Sequence, residues 1–299
     1  MSTQAEIKQH LKAVRQTRQI TNAMYLLSTS RMKKAMQNID FNLLYMERLR
    51  RTIAGVVVTA AYNDLRDEFI VDNMLGTALF VVVTSDKGLC GGYNTAVVDL
   101  ALEKMKEHEN PTVISLGIVG DRMFRDRGVP VAYSWFGASQ HPTLNLASQV
   151  TSKIIPLYLT NDFHQVYVVY TEYVNANVQV PRCTRLLPML REDFSDIEEE
   201  RDAAVTKPIF EPNVGVVFDY LVNQYCIGYM YDVLMQSAAS ENIARMNAMQ
   251  NATRNADEMI RELSADLNAV RQQQITNEIT EIAAACEAGG LQEGEGYRA

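Results

Sequence analysis

Apolar or small residues recur at a spacing of three and four near both ends of the chain. This spacing places them on one face of a helix and is typical of two helices that supercoil around each other. The polar residue Arg18 interrupts the N-terminal series. That series comprises Ile7, Leu11, Val14, Thr21, Tyr25, Ser28, Met32, Ala35, Ile39, Met46 and Ile53. The C-terminal series comprises Met249, Ala252, Ala256, Ile260, Leu263, Leu267 and Val270, and then changes register to Ile275, Ile279 and Ile282.

No strong helix breaker interrupts either series. All eight prolines lie between residues 111 and 212, and residues 1–54 and 229–288 contain neither Pro nor Gly. At a rise of about 1.5 Å per residue, helices of this length reach about 80 to 90 Å. We therefore predict a long antiparallel two-helix coiled coil, formed by an N-terminal helix in residues 1–60 and a C-terminal helix in residues 210–288. The alternative is that each helix packs separately on a globular body.

The middle of the chain alternates between strand and helix patterns. This alternation is typical of a mostly parallel sheet, so residues 75–195 are expected to form a Rossmann-like α/β domain. Short apolar runs predict strands at 77–84, 112–119 and 164–173, and amphipathic stretches predict helices near 94–108 and 143–160. A further extended segment, 178–190, contains two prolines and is expected at a sheet edge. The acidic stretch 192–202 is expected to be a solvated connection to the second long helix.

Composition and charge narrow the functional classes. The chain has 299 residues, of which 47% are hydrophobic, enough for a buried core. No stretch approaches the roughly 20 apolar residues that cross a bilayer, and the N-terminus lacks the apolar region of a signal peptide. The net charge of -8 disfavours a general nucleic-acid binder. Residues 1–54 carry ten basic and three acidic side chains, whereas residues 229–288 carry four and nine, and these opposite charges favour helix pairing.

A glycine-rich segment, SDKGLCGGYN at residues 85–94, lies between a predicted strand and a predicted helix. It does not match a phosphate-binding P-loop, because Gly92 is followed by Tyr93 and Asn94 rather than by Lys and Ser or Thr. Its glycine spacing also differs from G-x-G-x-x-G. We predict a tight structural turn in which glycines allow close backbone approach, formed by Gly88, Cys90, Gly91 and Gly92.

Other candidate chemistry is sparse. A nucleophilic Cys90 requires a nearby base, and no motif places His10, His108, His141 or His164 beside it. The cysteines are far from any zinc or redox spacing, at Cys90, Cys183, Cys226 and Cys286. We therefore expect no catalytic residue, no cofactor and no metal site.

Three segments resemble the signature blocks of the bacterial gamma subunit of the F-type rotary ATP synthase. They are 17–35, 84–94 and 240–282, the last carrying S-E-x-x-A-R-M-x-A-M, N-A-x-x-x-I-x-E-L and R-Q-x-x-I-T-x-E-I-T-E-I. The resemblance implies a non-catalytic central shaft inside a ring of three alpha and three beta subunits. It further implies contacts with the epsilon subunit and the c-ring, and a peripheral position at the cytoplasmic face of the bacterial membrane, reached only through the complex.

The same resemblance implies roles for individual residues. Contact with the alpha and beta ring is implied for Met24, Arg245, Gln272, Thr276 and Glu278, and a basic face of the rotor for Lys33 and Lys34. From the residues alone, the polar members of this set are ordinary positions on a helix face, because exposed charges on a helix often make no specific contact. Met24 is, on the same basis, an ordinary methionine of the seam. The chain departs from the family pattern at Lys87 and Asn22, where the family often has Arg, and Lys or Arg, respectively.

Two further functional classes remain open at the level of the sequence. One is a Rossmann-like enzyme that uses the loop at Gly88–Gly92, with the long helices serving only for dimerisation. The other is a self-associating scaffold whose helices pair between chains.

Overall fold

Two long helices contribute to both of the compact units into which the chain divides. The computed structural model describes residues 3–59, 69, 77–139, 142–160, 162–175, 178–190, 193 and 209–294. Helix α1 spans Gln4–Thr59, and the last helix, α5, spans Val214–Gly294. Residues 1–26 and 249–299 form the two-helix unit, and residues 27–248 form the α/β unit. His141 and the acidic connection at 192–202, apart from Asp193, lie outside the described residues.

The two-helix unit is an antiparallel pair. Arg18 Nε lies 2.6 Å from Asp257 Oδ1, and Thr21 Oγ1 lies 2.7 Å from Thr253 Oγ1, so residue numbers rise along α1 as they fall along α5. The predicted seam is buried at Ile7, Leu11, Val14, Met249 and Ala256. This confirms the predicted pairing of the terminal helices. Arg18, the predicted interruption, is exposed and forms an ion pair with the partner helix.

The prediction of a buried apolar seam is wrong for the C-terminal part of α5 in the isolated chain. Residues 271–285 are exposed at every position. Ile275, Ile279 and Ile282 are 45%, 61% and 64% exposed. The reason is geometric: α1 begins at Gln4, fourteen residues before Arg18, and the matching position on α5 is Arg271, fourteen residues after Asp257. Beyond that point α1 offers no surface for α5 to pack against.

The α/β unit contains a five-stranded sheet in the order β3-β2-β1-β4-β5. Neighbouring strands are parallel except for the antiparallel pair β4 and β5, which confirms the predicted mostly parallel sheet with 178–190 at an edge. The strands are β1 Ala78–Val83, β2 Thr112–Leu116, β3 Val131–Trp135, β4 Gln165–Asn175 and β5 Val178–Leu187. The shorter helices are α2 Tyr93–Met105, α3 Ile118–Asp126 and α4 Leu144–Leu159.

Both faces of the sheet are covered, which explains why β1 is apolar at every position. Leu79, Val81 and Val83 belong to a core that includes α4, the end of α1 and the first turns of α5. Phe80 and Val82 belong to a second core with α2 and α3. The first turns of the long helix α5 therefore also form part of one layer of the α/β unit.

The sequence prediction failed at residues 112–119, which were expected to form one strand. The strand ends at Leu116, and α3 begins at Ile118. Gly117 between them has φ +118° and sits against the Thr84 carbonyl, where a side chain would collide. Strand β3 and helix α3 were not predicted, because β3 is half-exposed and α3 has only nine residues.

Candidate functional site

The glycine-rich loop after β1 is closed by side-chain hydrogen bonds at its two ends. Asn94, in the first turn of α2, accepts a hydrogen bond from the Ser85 backbone N–H (2.9 Å) and donates one to Ser85 Oγ (2.7 Å). Its amide also donates to Cys90 Sγ at 3.2 Å. Asn94 therefore holds the loop closed, because its side-chain amide supplies both hydrogen-bond donors and an acceptor.

The prediction that close backbone approach requires the glycines of this loop is wrong. Nothing lies within 4 Å of a Cβ built at Gly88, Gly91 or Gly92, so no close approach requires them. Gly91 instead has φ +58°, a left-handed conformation that glycine adopts without strain. Leu89 has φ +63° and is 60% exposed, which is unusual for a leucine on both counts.

A buried carboxylate fixes the loop to the segment after β3. Asp86 accepts hydrogen bonds from the Gly137 N–H (2.9 Å), the Ser139 N–H (3.2 Å) and the Ser139 hydroxyl (3.0 Å). These contacts join the carboxyl ends of β1 and β3, where parallel α/β sheets usually place their functional residues. Sequence reasoning did not identify Asp86 as a functional candidate, because its partners lie about fifty residues away in the chain.

Helix α5 reaches the same loop through Arg245. Its NH2 group donates to the carbonyls of Lys87 (2.9 Å) and Gly88 (3.3 Å), and lies 2.7 Å from Glu241 Oε1. The Arg245 and Glu241 side chains are only 8% and 5% exposed. Burial raises the pKa of the Glu241 carboxyl, and the Arg245 charge opposes that rise. Tyr93 adds a hydrogen bond from its hydroxyl to the Ser237 carbonyl, at 3.3 Å.

The residues with implied ring contacts lie in different surroundings. Gln272, Thr276 and Glu278 are exposed on the part of α5 that extends beyond α1. Met24 is half-buried on α1, about one helical turn after Thr21. Thr21 contacts Thr253, so Met24 does not lie beside those three residues. Arg245 is buried and bonded within the chain, whereas Lys33 and Lys34 are exposed in the α/β unit.

The described residues do not form a nucleophilic site around Cys90. The hydrogen bonds described for its thiol involve Ser85, Asn94 and the Lys87 carbonyl, and none involves a histidine. Burial raises the pKa of the Cys90 thiol, which favours the unreactive protonated form. Within the described ranges, no group of three or more His, Cys, Asp or Glu side chains could hold a metal ion.

Comparison with known proteins places these features in a family. A family model described as ATP synthase matches residues 3–288. The ATP synthase gamma chain of Caldanaerobacter subterraneus subsp. tengcongensis is 36% identical over 289 residues, covering 93% of this chain and 97% of that protein. The gamma chain of Ruminiclostridium cellulolyticum is also 36% identical, with 93% and 95% covered. The sodium ion specific gamma chain of Acetobacterium woodii is 31% identical, with 95% and 97% covered.

Solved structures agree at the level of the fold. A chain of the mitochondrial ATP synthase of Euglena gracilis has a TM-score of 0.66 at 18% identity, covering 98% of this chain and 96% of that one. A chain from the central stalk and c-ring structure of Tetrahymena thermophila has a TM-score of 0.59 at 23% identity, covering 78% and 99%.

The chain is therefore a subunit of an ATP synthase complex. The chain belongs to the ATP synthase gamma chain family, which confirms the predicted family. None of the described helices has a stretch long and apolar enough to span a bilayer.

Proposed function

We propose that this chain turns as the central shaft of a bacterial ATP synthase and has no ATPase activity of its own. The two-helix unit contacts the surrounding alpha and beta subunits, and the α/β unit contacts the epsilon subunit and the c-ring at the cytoplasmic face of the membrane. Torque passes through the long helices, so ion flow drives ATP synthesis, and ATP hydrolysis drives the ring in reverse.

The observation that carries this proposal is the exposed end of α5. Residues 271–285 are exposed on every side, including the apolar residues Ile275, Ile279 and Ile282. A helix of this kind gains most of its stability from packing, so its apolar positions favour surroundings that cover them. Polar positions that are buried by such surroundings need hydrogen-bond partners there. A ring of other subunits supplies such surroundings on all sides.

Individual contacts follow from this arrangement. Gln272, Thr276 and Glu278 lie on the exposed segment and are proposed to contact loops of the ring. Met24 is half-buried and offers a smaller apolar contact. Lys33 and Lys34 are both exposed and form the proposed basic face of the rotor.

The enzyme alternative has less support. At the carboxyl end of β1, where α/β enzymes bind nucleotides, the carbonyls of Lys87 and Gly88 already accept hydrogen bonds from Arg245. The Arg245 charge is already paired with the buried Glu241 at 2.7 Å, so it is not a free cation for a phosphate group. The loop therefore serves contacts within the chain.

The scaffold alternative also has less support. Leu11 and Met249 are buried within the two-helix unit, so the apolar faces of the two helices cover each other inside one chain. Pairing between chains through these faces requires the two helices to separate first, at the cost of that buried surface.

The test is assembly from purified components. The chain alone is expected to be a monomer by light scattering and to lack ATP turnover. Mixed with alpha and beta subunits of a bacterial synthase, it is expected to elute with them as one copy per complex and to raise their ATPase activity. ATP turnover by the isolated chain contradicts the proposal. A stable dimer that does not bind the other subunits also contradicts it.

A matched pair of variants controls for the helix itself. Leu263→Pro is expected to reduce the stability of α5 by about 3 kcal/mol or more, and therefore to prevent assembly. Leu263→Ala keeps a strong helix former at the same half-buried site and is expected to assemble.

A further inference from the structure

The middle of the loop after β1 is held from outside the loop, by α5. The Asn94 side chain fastens the two ends, at Ser85 and Cys90. Between them, the carbonyls of Lys87 and Gly88 accept hydrogen bonds from the Arg245 guanidinium, at 2.9 Å and 3.3 Å. Sequence resemblance implied a ring contact for Arg245, but its side chain is 8% exposed and directed to its own chain.

We propose that Arg245 is a positioning residue, which together with Glu241 holds the loop at Lys87–Leu89 in one conformation. The inference rests on the proposed function for its consequence in the synthase, because loop position affects torque transmission only within the complex. Its structural part concerns the chain alone and is tested separately.

Arginine is suited to this task for two reasons. Its planar guanidinium carries several donors in a fixed arrangement, so that Nε and NH2 reach the Gly88 carbonyl while NH2 also reaches Lys87. A lysine ammonium is a point charge on a flexible chain and does not reproduce this fork. Glu241, one helical turn earlier, compensates the buried positive charge at 2.7 Å.

The conformation held by Arg245 is one that a free loop avoids. Leu89 follows the two bonded carbonyls and has φ +63°, which is unfavourable for a leucine. Such a conformation persists only where the surroundings determine it more strongly than the local preference. Arg245 provides the restraint on one side of Leu89, and the Asn94 bond to Cys90 provides it on the other. Lys87 and Leu89 are consequently presented as a fixed exposed tip.

Cys90 is a built-in reporter for this restraint. The residue is 2% exposed and follows Leu89 directly, so release of the loop uncovers its thiol. Burial raises the pKa of the Cys90 thiol, and the nearby Arg245 charge opposes that rise. Removal of Arg245 therefore makes the thiol less ionised and intrinsically less reactive. Any increase in its labelling rate reports opening of the loop rather than electrostatics.

The experiment measures alkylation of Cys90 by N-ethylmaleimide in the full chain, with peptide mass spectrometry. Arg245→Ala is expected to raise the Cys90 labelling rate at least tenfold, and Arg245→Lys to give an intermediate rate. Arg182→Ala, which removes an exposed arginine bonded to Glu172 in the same unit, is expected to match the wild-type rate. Cys226 is fully buried in the core, so its protection shows that each variant stays folded.

The second measurement uses the assembled synthase and compares ion pumping per ATP hydrolysed. Arg245→Ala is expected to reduce that ratio, with partial rescue by Arg245→Lys in the same order as the labelling rates. Wild-type Cys90 labelling in Arg245→Ala, with Cys226 protected, overturns the inference. Increased labelling with an unchanged pumping ratio supports the role of Arg245 in holding the loop and overturns its consequence for torque transmission. Failure of the wild-type chain to assemble refutes the proposed function instead.

Discussion

Thr21 and Thr253 contact each other across the two-helix unit, with their hydroxyl oxygens 2.7 Å apart. Each hydroxyl also lies within hydrogen-bond distance of a carbonyl in its own helix, Arg18 O at 3.0 Å and Met249 O at 2.8 Å. One hydroxyl therefore donates across the pair while the other donates within its helix. This polar contact lies in a largely apolar seam and favours one register of the two helices.

A double-mutant cycle tests this contact. Thr21→Val and Thr253→Val are each expected to cost about 1 kcal/mol, because each leaves one part-buried hydroxyl without its cross-helix partner. The double variant is expected to cost less than the two single costs together, because valine fills the seam on both sides. Urea unfolding of the full chain measures these differences. Simple additivity of the single costs would show that the two hydroxyls are not coupled.

Two glycines with positive φ angles are expected to respond differently to alanine. A Cβ at Gly117 meets the Thr84 carbonyl oxygen at 2.4 Å, whereas nothing lies within 4 Å of a Cβ at Gly128, where φ is +72°. Gly117→Ala is expected to lower the free energy of unfolding by about 2 to 5 kcal/mol, from backbone strain plus collision. Gly128→Ala has the strain alone and is expected to cost about 1 to 2 kcal/mol. Equal losses in thermal unfolding would refute the proposed steric cause.

The Asp121 carboxylate links α3 to β3 and gives stability a pH dependence. It accepts hydrogen bonds from Arg125 Nε (2.9 Å) and NH2 (3.0 Å) and from the Ser134 hydroxyl (2.5 Å). The Arg125 hydrogen bonds, and then that of Ser134, lower the pKa of Asp121 below its ordinary value. Because the pKa is lower in the folded state, the stabilisation is complete above the unfolded pKa of about 4 and is lost as the pH falls through the folded pKa.

Asp121→Asn is therefore expected to cost about 1 kcal/mol near neutral pH, a modest value because Arg125 is largely exposed. The gap between wild type and variant is expected to shrink below about pH 4. Denaturant unfolding at pH 7, 4 and 3 measures it. A gap that stays constant over this range would mean that ionisation of Asp121 contributes nothing.

The exposed end of α5 separates effects on function from effects on folding. Thr276→Ala and Glu278→Ala are expected to change the stability of the isolated chain by less than about 0.5 kcal/mol, because both side chains are exposed. In the assembled synthase, both variants are expected to assemble but to reduce coupled ATP turnover. Gln273→Ala, at an exposed position where the family motif specifies no residue, is the control. Wild-type turnover in both variants removes these residues from the proposed ring contact.

Much of the architecture is readable from the sequence because it follows from local rules. Absence of Pro and Gly together with apolar spacing predicts the long helices, and the apolar run at residues 77–84 predicts the buried β1. The exposure of Ile275, Ile279 and Ile282 was not predictable, because periodicity identifies an apolar face without showing where the partner helix begins. Strand β3 was missed for a related reason, since its half-exposed residues give no clear alternation.

The sequence by itself determined the family, the two terminal helices and the mostly parallel character of the sheet, since motif spacing and periodicity are properties of neighbouring residues. Only the tertiary structure decided where Arg245 is directed. Its partners Lys87 and Gly88 lie more than 150 residues away, and no local pattern encodes a contact of that separation. The same motif arginine suits a neighbouring subunit or the chain's own loop, and the fold determines which carbonyls come within its reach.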